Sequence, residues 1–459
     1  MQQWEQTRRD FLTRMAAGTV GLGFAAHASG ATPQRKPNVL VYVVDDLGTD
    51  DAGCYGHPVL RTPGIDRIAA EGTRFTRARA TTASCSASRS CILSGKHNHA
   101  TGQYGHTHGY NHFTTFDNIR TLPAILGEAG YRSMCMGKYH VAPESVYPFD
   151  HLKGGKTPLE MADACRGFIT ENDDQPFFLY MCTTEPHRPF KREGFDTYSP
   201  DDVVVPPYLP DTPACRRELA RYYGSAERAD SGLDRLISIL EETGQWDNTI
   251  VLFLSDNGIA FPGAKTTAYE PGLRLPLVVR TPWQEKQGVV NDACVSWVDL
   301  TPTILDMVGA TPDNYAFHGR SFAPVLEESS PNGWDECYAS HTFHEITMYY
   351  PMRVIWKDNK KLIWNIAHDL PYPFASDLQA SETWQDVVDR GLTHYGKRSV
   401  EAYLHRPEFE LYDLDADPHE VDNLADNPDH ADLLADLKSR LKDFQKRTDD
   451  PWILKWEYE

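Results

Sequence analysis

Asn38-Val39-Leu40-Val41-Tyr42-Val43-Val44-Asp45-Asp46, "NVLVYVVDD", is the stretch whose reading settles the fold class. From Val39 to Val44 the run is apolar and mostly β-branched. That is the pattern of a strand buried on both faces of a parallel sheet, where no polar alternation is needed. Two carboxylates follow it at once.

Working outward, strand and helix patterns alternate from Pro37 onward, which predicts an α/β fold with a mostly parallel central sheet. Further strands are expected at Tyr131–Met136, Phe177–Cys182, Thr249–Leu254 and Leu275–Val279. Thr62-Pro63 opens a helix that Gly72 closes, and Thr121–Ala129 repeats this pattern before Gly130. Arg216–Glu242 reads as a long helix broken at Gly224 and Gly232.

The carboxyl ends of these strands share polar residues: Asp45-Asp46, Gly137-Lys138-Tyr139-His140, Thr184-Glu185-Pro186-His187 and Ser255-Asp256-Asn257-Gly258. A single such tip is ordinarily a helix cap or a turn. Four together predict one convergent site, because ligands of open α/β sheets bind beyond the carboxyl ends of the strands. Asp45, Asp46, Asp256 and Asn257 offer oxygen ligands, the chemistry of a hard cation, with calcium first and magnesium second. The competing reading is a carboxylate cluster neutralised by Lys and Arg.

The bulk composition excludes some functions. A net charge of -20 over 459 residues argues against nucleic acid as a partner. The length suits a large domain with a smaller one. Thr7-Arg8-Arg9-Asp10-Phe11-Leu12 before the apolar run Met15–Ala26 reads as a twin-arginine-type export signal over residues 1–31, with cleavage near Ala26-His27-Ala28. The run is too short to span a bilayer, so a periplasmic or secreted protein without a membrane span is expected. The nine cysteines contain no Cys-x-x-Cys pair; Cys85 stands apart, and the pairing of the other eight is open.

Cys85-Ser86-Ala87-Ser88-Arg89, followed by Ile92-Leu93-Ser94-Gly95, resembles the signature of the sulfatase family. Around it, in the family's order, stand "KPNVLVYVVDDLG" (36–48), "SDNG" (255–258), "GAKTTAYEPGLRLP" (263–276) and "ELYDLDADPHEVDNL" (410–424). "GKYHVAPESVYPFD" (137–150), "TFHEITMYYPMR" (342–353), "LPYPF" (370–374) and "DPW" (450–452) are similar to the sulfamidase branch, the N-sulfoglucosamine sulfohydrolases. The resemblance implies an alkaline-phosphatase-like catalytic domain over 36–333 and a C-terminal subdomain with an antiparallel sheet over 334–459.

It also implies chemistry. Cys85 would be oxidised to formylglycine, whose hydrate is a geminal diol that also touches the metal held by Asp45, Asp46, Asp256 and Asn257. Arg89 would stabilise the diol. Lys138 and Lys265 would grip the sulfonate oxygens, His140 would assist deprotonation, and His187 would protonate the leaving amine. The second hydroxyl lets sulfate leave without attack of water on sulfur. Glu185, His344, Glu345 and Arg353 fall in the branch-specific segments and are expected near the sugar; Glu345 and Arg353 read equally as structural ion pairs. His97, His99, His106, His108 and His112 form a dense run that could hold a transition metal, though no spacing is decisive, and is read first as a pocket-rim loop, with His106 set down as a substrate contact. Ala87 replaces the commoner proline, a form similar to that accepted by the oxygen-independent maturation system, so which formylglycine-generating enzyme is the partner stays open.

The expected substrate is a sulfated glucosamine-containing glycan, cleaved at the N-sulfate of a terminal N-sulfoglucosamine in heparin or heparan sulfate. An O-sulfatase on a related sugar, a phosphodiesterase or phosphonate hydrolase, and a non-catalytic glycan binder with Cys85 left as a thiol remain open. Two-zinc hydrolases of the superfamily carry Asp-His where this chain has Asp256-Asn257. Oligomeric state is open, a homodimer included.

Overall fold

The computed structural model describes residues 35–172, 174–190 and 197–458. The expected export signal at 1–31 lies outside the described residues, apart from which no described helix is long and apolar enough to cross a membrane.

The large sheet has eight strands: β1 (Asn38–Val44), β2 (Thr73–Arg79), β3 (Arg132–Gly137), β4 (His151–Lys153), β5 (Phe177–Cys182), β6 (Thr249–Ser255), β7 (Leu277–Arg280) and β8 (Val289–Ser296). Their spatial order is β4-β3-β5-β1-β6-β7-β2-β8. β7 runs antiparallel to both neighbours and the other pairings are parallel, as the alternating sequence pattern led us to expect. β1 is buried along its whole length, with β5 and β6 hydrogen-bonded on its two sides.

The long helix Pro213–Glu242 packs beside β1, and Tyr42 Oη donates to the Ala229 carbonyl at 2.6 Å. This helix is continuous, which corrects the expected breaks at Gly224 and Gly232. Gly232 is there for closeness: a Cβ would meet Tyr42 Oη at 2.5 Å and Pro158 Cβ at 2.7 Å. A glycine in a helix costs about 1 kcal/mol against alanine, too little to break thirty residues of packed helix.

The second sheet is antiparallel, in the order β14-β11-β10-β9. Its strands are β9 (Glu336–Phe343), β10 (Tyr349–Lys357), β11 (Lys360–Asn365) and β14 (Phe409–Asp413), and β12 (His394–Tyr395) with β13 (Arg398–Ser399) makes a small ribbon. Leu437, Leu441 and Phe444 of the helix Ala431–Arg447 close a core over Ile355, Leu362 and Trp364. The expected boundary at 333/334 falls just before β9, yet Lys36–Glu459 form one compact unit. Ser340 N on β9 donates to the Thr81 carbonyl at 2.8 Å, joining the second sheet to the segment that leads into Cys85.

Candidate active site

β3, β5, β1 and β6 are consecutive in the sheet and parallel, so their carboxyl ends open on one edge. The four polar tips therefore meet. β2 also runs in this direction, and the chain after it enters the helix Cys85–Ser94, every residue of which is buried. Cys85 occupies the first turn, where free N–H groups favour negative charge. Arg89, one turn on, is fully buried.

The charges interlock. Arg89 Nε and Nη2 each lie 2.8 Å from Asp256 Oδ2, and Nη2 lies 3.6 Å from Asp45 Oδ1. Lys138 Nζ donates to Asp45 Oδ2 at 2.7 Å. Lys265 Nζ contacts Asp46 Oδ2 at 3.0 Å, His187 Nε2 at 2.9 Å and Asp377 Oδ2 at 3.0 Å. Asn257 Nδ2 donates to Asp46 Oδ1 at 2.6 Å. A ligand atom of Cys85 lies within 4.8 Å of those of Asp45 and Asp256, and within 4.8 Å of those of Asp46 and His187.

Several ionisations follow from this packing. Burial pushes the Cys85 thiol well up, and Lys138 and Lys265 only partly offset it. A protonated thiol is a poor nucleophile, so the residue as translated is not the reactive species at neutral pH. Burial opposes charge on Asp45, but Lys138, His187, Arg89 and Lys265 outweigh it and hold its carboxyl well below the usual range. Burial, reinforced by Asp45 and Asp46, pushes Asp256 up to about 7 against the pull of Arg89. Burial and then Lys138 hold His140 low, as a neutral imidazole.

Asp45 Oδ1 and Asn257 Oδ1 are buried and accept no hydrogen bond. Two unpaired oxygens beside three crowded carboxylates fit a hard divalent cation, since oxygen donors at irregular angles suit calcium. The residues present thus fit the metal expected from the sequence.

Above this cluster lies a cavity of about 1020 Å³ whose lining includes Asp45, His106, His108, Lys138, His140, Glu185, His187, His344, Glu345 and Asp377. His106 Nε2 and His344 Nε2 are 3.0 Å apart, and His108 Nδ1 and His140 Nε2 are 2.8 Å apart. Ser84 Oγ and His344 Nδ1, 3.0 Å apart, tie the residue after β9 to the residue before Cys85. Glu345 accepts from Ser376 N at 3.1 Å. Glu185 lines the cavity, but its carboxylate accepts from Arg228 Nε at 2.6 Å.

Arg353 departs from its expected place near the sugar. It is fully buried outside the cavity lining, with Nε 2.6 Å from Asp450 Oδ2 and Nη2 2.9 Å from Asp450 Oδ1. A bidentate pair of this kind satisfies the guanidinium and leaves it nothing for a substrate uronate. Of the dense histidine run, His97 and His99 also lie elsewhere, stacked at 5.4 Å beneath Phe444. Sequence reasoning missed Asp377, which sits three residues after the branch-like "LPYPF".

Residues 37–310 match the family described as Sulfatase, and residues 264–372 match that described as N-sulphoglucosamine sulphohydrolase, C-terminal. The chain belongs to the sulfatase family. This sulfatase is 36% identical over 468 residues to human (Homo sapiens) N-sulphoglucosamine sulphohydrolase, covering 92% of this chain and 93% of that protein. Its fold is similar to that of a protein solved in complex with its substrate D-glucosamine-2-N,6-O-disulfate, with a TM-score of 0.70, 22% identity and coverage of 93% and 100% of the two chains. The phosphonate monoester hydrolase of Agrobacterium radiobacter also gives a TM-score of 0.70, at 20% identity, covering 90% of this chain and 96% of that one. The large mostly parallel sheet with an antiparallel C-terminal sheet is thus the alkaline-phosphatase-like architecture of sulfatases, as expected from the sequence.

Proposed function

We propose that this sulfatase hydrolyses the sulfamate of a terminal N-sulfoglucosamine in heparin or heparan sulfate fragments, at a formylglycine made from Cys85. What carries the reading is the pair Lys138 and Lys265, anchored on Asp45 and Asp46, whose carboxylates cluster with Cys85 next to a cavity that Asp45 and Lys138 line. The similarity to N-sulphoglucosamine sulphohydrolase over nearly the whole chain directs the choice of sugar.

Formylglycine, once hydrated, supplies a hydroxyl nucleophile for sulfur and a second hydroxyl whose proton loss lets sulfate go. Asp45, Asp46, Asp256 and Asn257 would hold calcium, which would supply positive charge against the sulfonate oxygens. The chain's own residues do the rest. Lys138, which lines the cavity and spends one donor on Asp45, holds the sulfonate, and Lys265 joins it by turning one of its three donors away from Asp46, His187 or Asp377. Arg89 holds Asp256 and faces the same cluster. His187 donates from Nδ1 to the Arg188 carbonyl and accepts at Nε2 from Lys265 Nζ at 2.9 Å; as the imidazolium, with Nε2 released from Lys265, it would protonate the leaving nitrogen, because an unprotonated amine is a poor leaving group. His140, neutral and linked to His108, is the acceptor for a diol proton. Glu345 and the neutral His106 and His344 line the sugar side.

Maturation by a formylglycine-generating enzyme and export to the periplasm or beyond belong to the same reading; the latter rests on Arg8-Arg9 and the apolar run after them. The test compares sulfate release from N-sulfoglucosamine and from glucosamine 6-O-sulfate, with mass spectrometry of the Cys85 peptide. Turnover of the first, with an aldehyde at position 85, is expected. Turnover of the 6-O-sulfate alone would make the enzyme an O-sulfatase, and a free thiol in fully active protein would end the formylglycine scheme.

A further inference from the structure

Asp377 belongs to the short helix Ser376–Gln379, contributed by the C-terminal part of the chain, yet it lines the cavity beside groups from the strand tips. Glu345 braces this helix by accepting from Ser376 N at 3.1 Å and from its hydroxyl at 2.5 Å. Asp377 Oδ2 takes one hydrogen bond, from Lys265 Nζ at 3.0 Å, and Oδ1 takes none. Oδ1 is closed off from solvent, but a carboxylate oxygen has about two acceptor sites, so Oδ2 keeps one beside its bond from Lys265. The same Oδ2 lies 3.9 Å from His187 Nε2. His187 and Asp377 both line the cavity and share Lys265 as a neighbour, so a substrate atom docked against His187 Nε2 has Asp377 close by.

That atom differs between the two candidate substrates. In a sulfamate it is a nitrogen bearing one hydrogen; in a sulfate ester it is an oxygen with lone pairs only. We propose that Asp377 selects a sulfamate over a sulfate ester by accepting the N–H of the scissile nitrogen. The inference rests on the sulfamate reading above and names the residue that enforces it. The carboxylate attracts the N–H and repels an ester oxygen, so it discriminates by both effects. A site built around a substrate N–H penalises an analogue lacking it far more than an apolar pocket penalises a missing methylene. When the S–N bond breaks, the nitrogen keeps the electron pair and takes one proton from His187, and the neutral amine so formed still offers an N–H to Asp377.

Two variants test this. Asp377→Ala removes the acceptor. Asp377→Asn keeps the volume, and Lys265 will draw the amide oxygen to itself, turning the NH2 group toward the substrate N–H. Both are expected to lower the ratio of kcat/KM on N-sulfoglucosamine to kcat/KM on 4-nitrophenyl sulfate by about 100-fold, mostly through the sulfamate. A second measurement avoids turnover. In Cys85→Ser protein, adding Asp377→Ala should weaken N-sulfoglucosamine binding by about 10-fold or more in calorimetry, while inorganic sulfate, which has no N–H, binds as before. Equal losses on both substrates, or equal weakening of both ligands, would mean that Asp377 only positions Lys265 and would overturn the proposal. Unchanged values in both variants would overturn it too. A wild-type enzyme that cleaves the ester and leaves the sulfamate intact would instead defeat the substrate reading on which the inference stands.

Discussion

At the scale of single residues, the site is a problem in crowded charge. Three carboxylates, an amide, two lysines and an arginine are packed around a buried Cys85, and two oxygens, Asp45 Oδ1 and Asn257 Oδ1, are left without donors. Three outcomes follow. Cys85→Ala should abolish sulfate release, because methyl cannot become an aldehyde; the melting transition serves as the folding control. Lys265→Ala should lower kcat by about 10²–10³, equivalent to about 3–4 kcal/mol of transition-state stabilisation, as measured in steady-state kinetics. Chelation should lower the melting temperature, and added calcium should restore it. At 100 times Kd a bound ion contributes about 2.7 kcal/mol, and Asn257→Ala should shrink that response in calorimetry.

Secondary-structure elements decide where these residues stand. The helix Pro213–Glu242 reaches β1 closely because Gly232 has no side chain. Gly232→Val should destabilise by about 1–3 kcal/mol in denaturant titration by overpacking against Tyr42 and Pro158. The same helix presents Asp230 to the first turn of the helix Pro63–Glu71, where it accepts from Gly64 N at 3.0 Å and Ile65 N at 2.8 Å. Burial pushes this carboxyl up to about 7 even so. A carboxyl raised on folding binds more protons in the native than in the unfolded state between about pH 3.9 and 7, so its contribution is full below that window and falls as pH rises through it. Asp230→Asn should flatten the decline in unfolding free energy across that window. At this scale β1, β5 and β6 were legible because their apolar runs are nearly uninterrupted, and β3 because Met134-Cys135-Met136 follows a helix stop at Gly130; a polar tip marks the end of each. β2, "TRFTRAR", was not, because three arginines in seven residues hide a strand whose burial comes from its neighbours.

For the whole molecule, the pair Arg353–Asp450 ties β10 to the C-terminal turn across 97 positions of sequence. Burial opposes the charge of Asp450, but Arg353 outweighs it and holds the carboxyl well below its usual range. Stability from this group is therefore present above about pH 3.9 and lost as pH falls below it. Asp450→Ala should cost about 3–5 kcal/mol, since it leaves the guanidinium buried and uncompensated; chemical denaturation at neutral pH measures it. The reading of Arg353 as a sugar contact failed for a related reason. An arginine on a strand has the same local signature whether it meets a uronate or a carboxylate of its own chain.

The amino-acid order alone determined the parallel sheet, the convergence of its polar tips, the oxygen-donor set and the place of Cys85 at a helix start. Those are consequences of local periodicity and of the rule that strands running one way end on one edge. Only the tertiary structure decided which distant groups meet: Asp377 with Lys265, Glu185 with Arg228, Arg353 with Asp450, and His344 with Ser84. Such pairings depend on how two sheets dock, and docking is set by summed burial across the molecule rather than by any short segment.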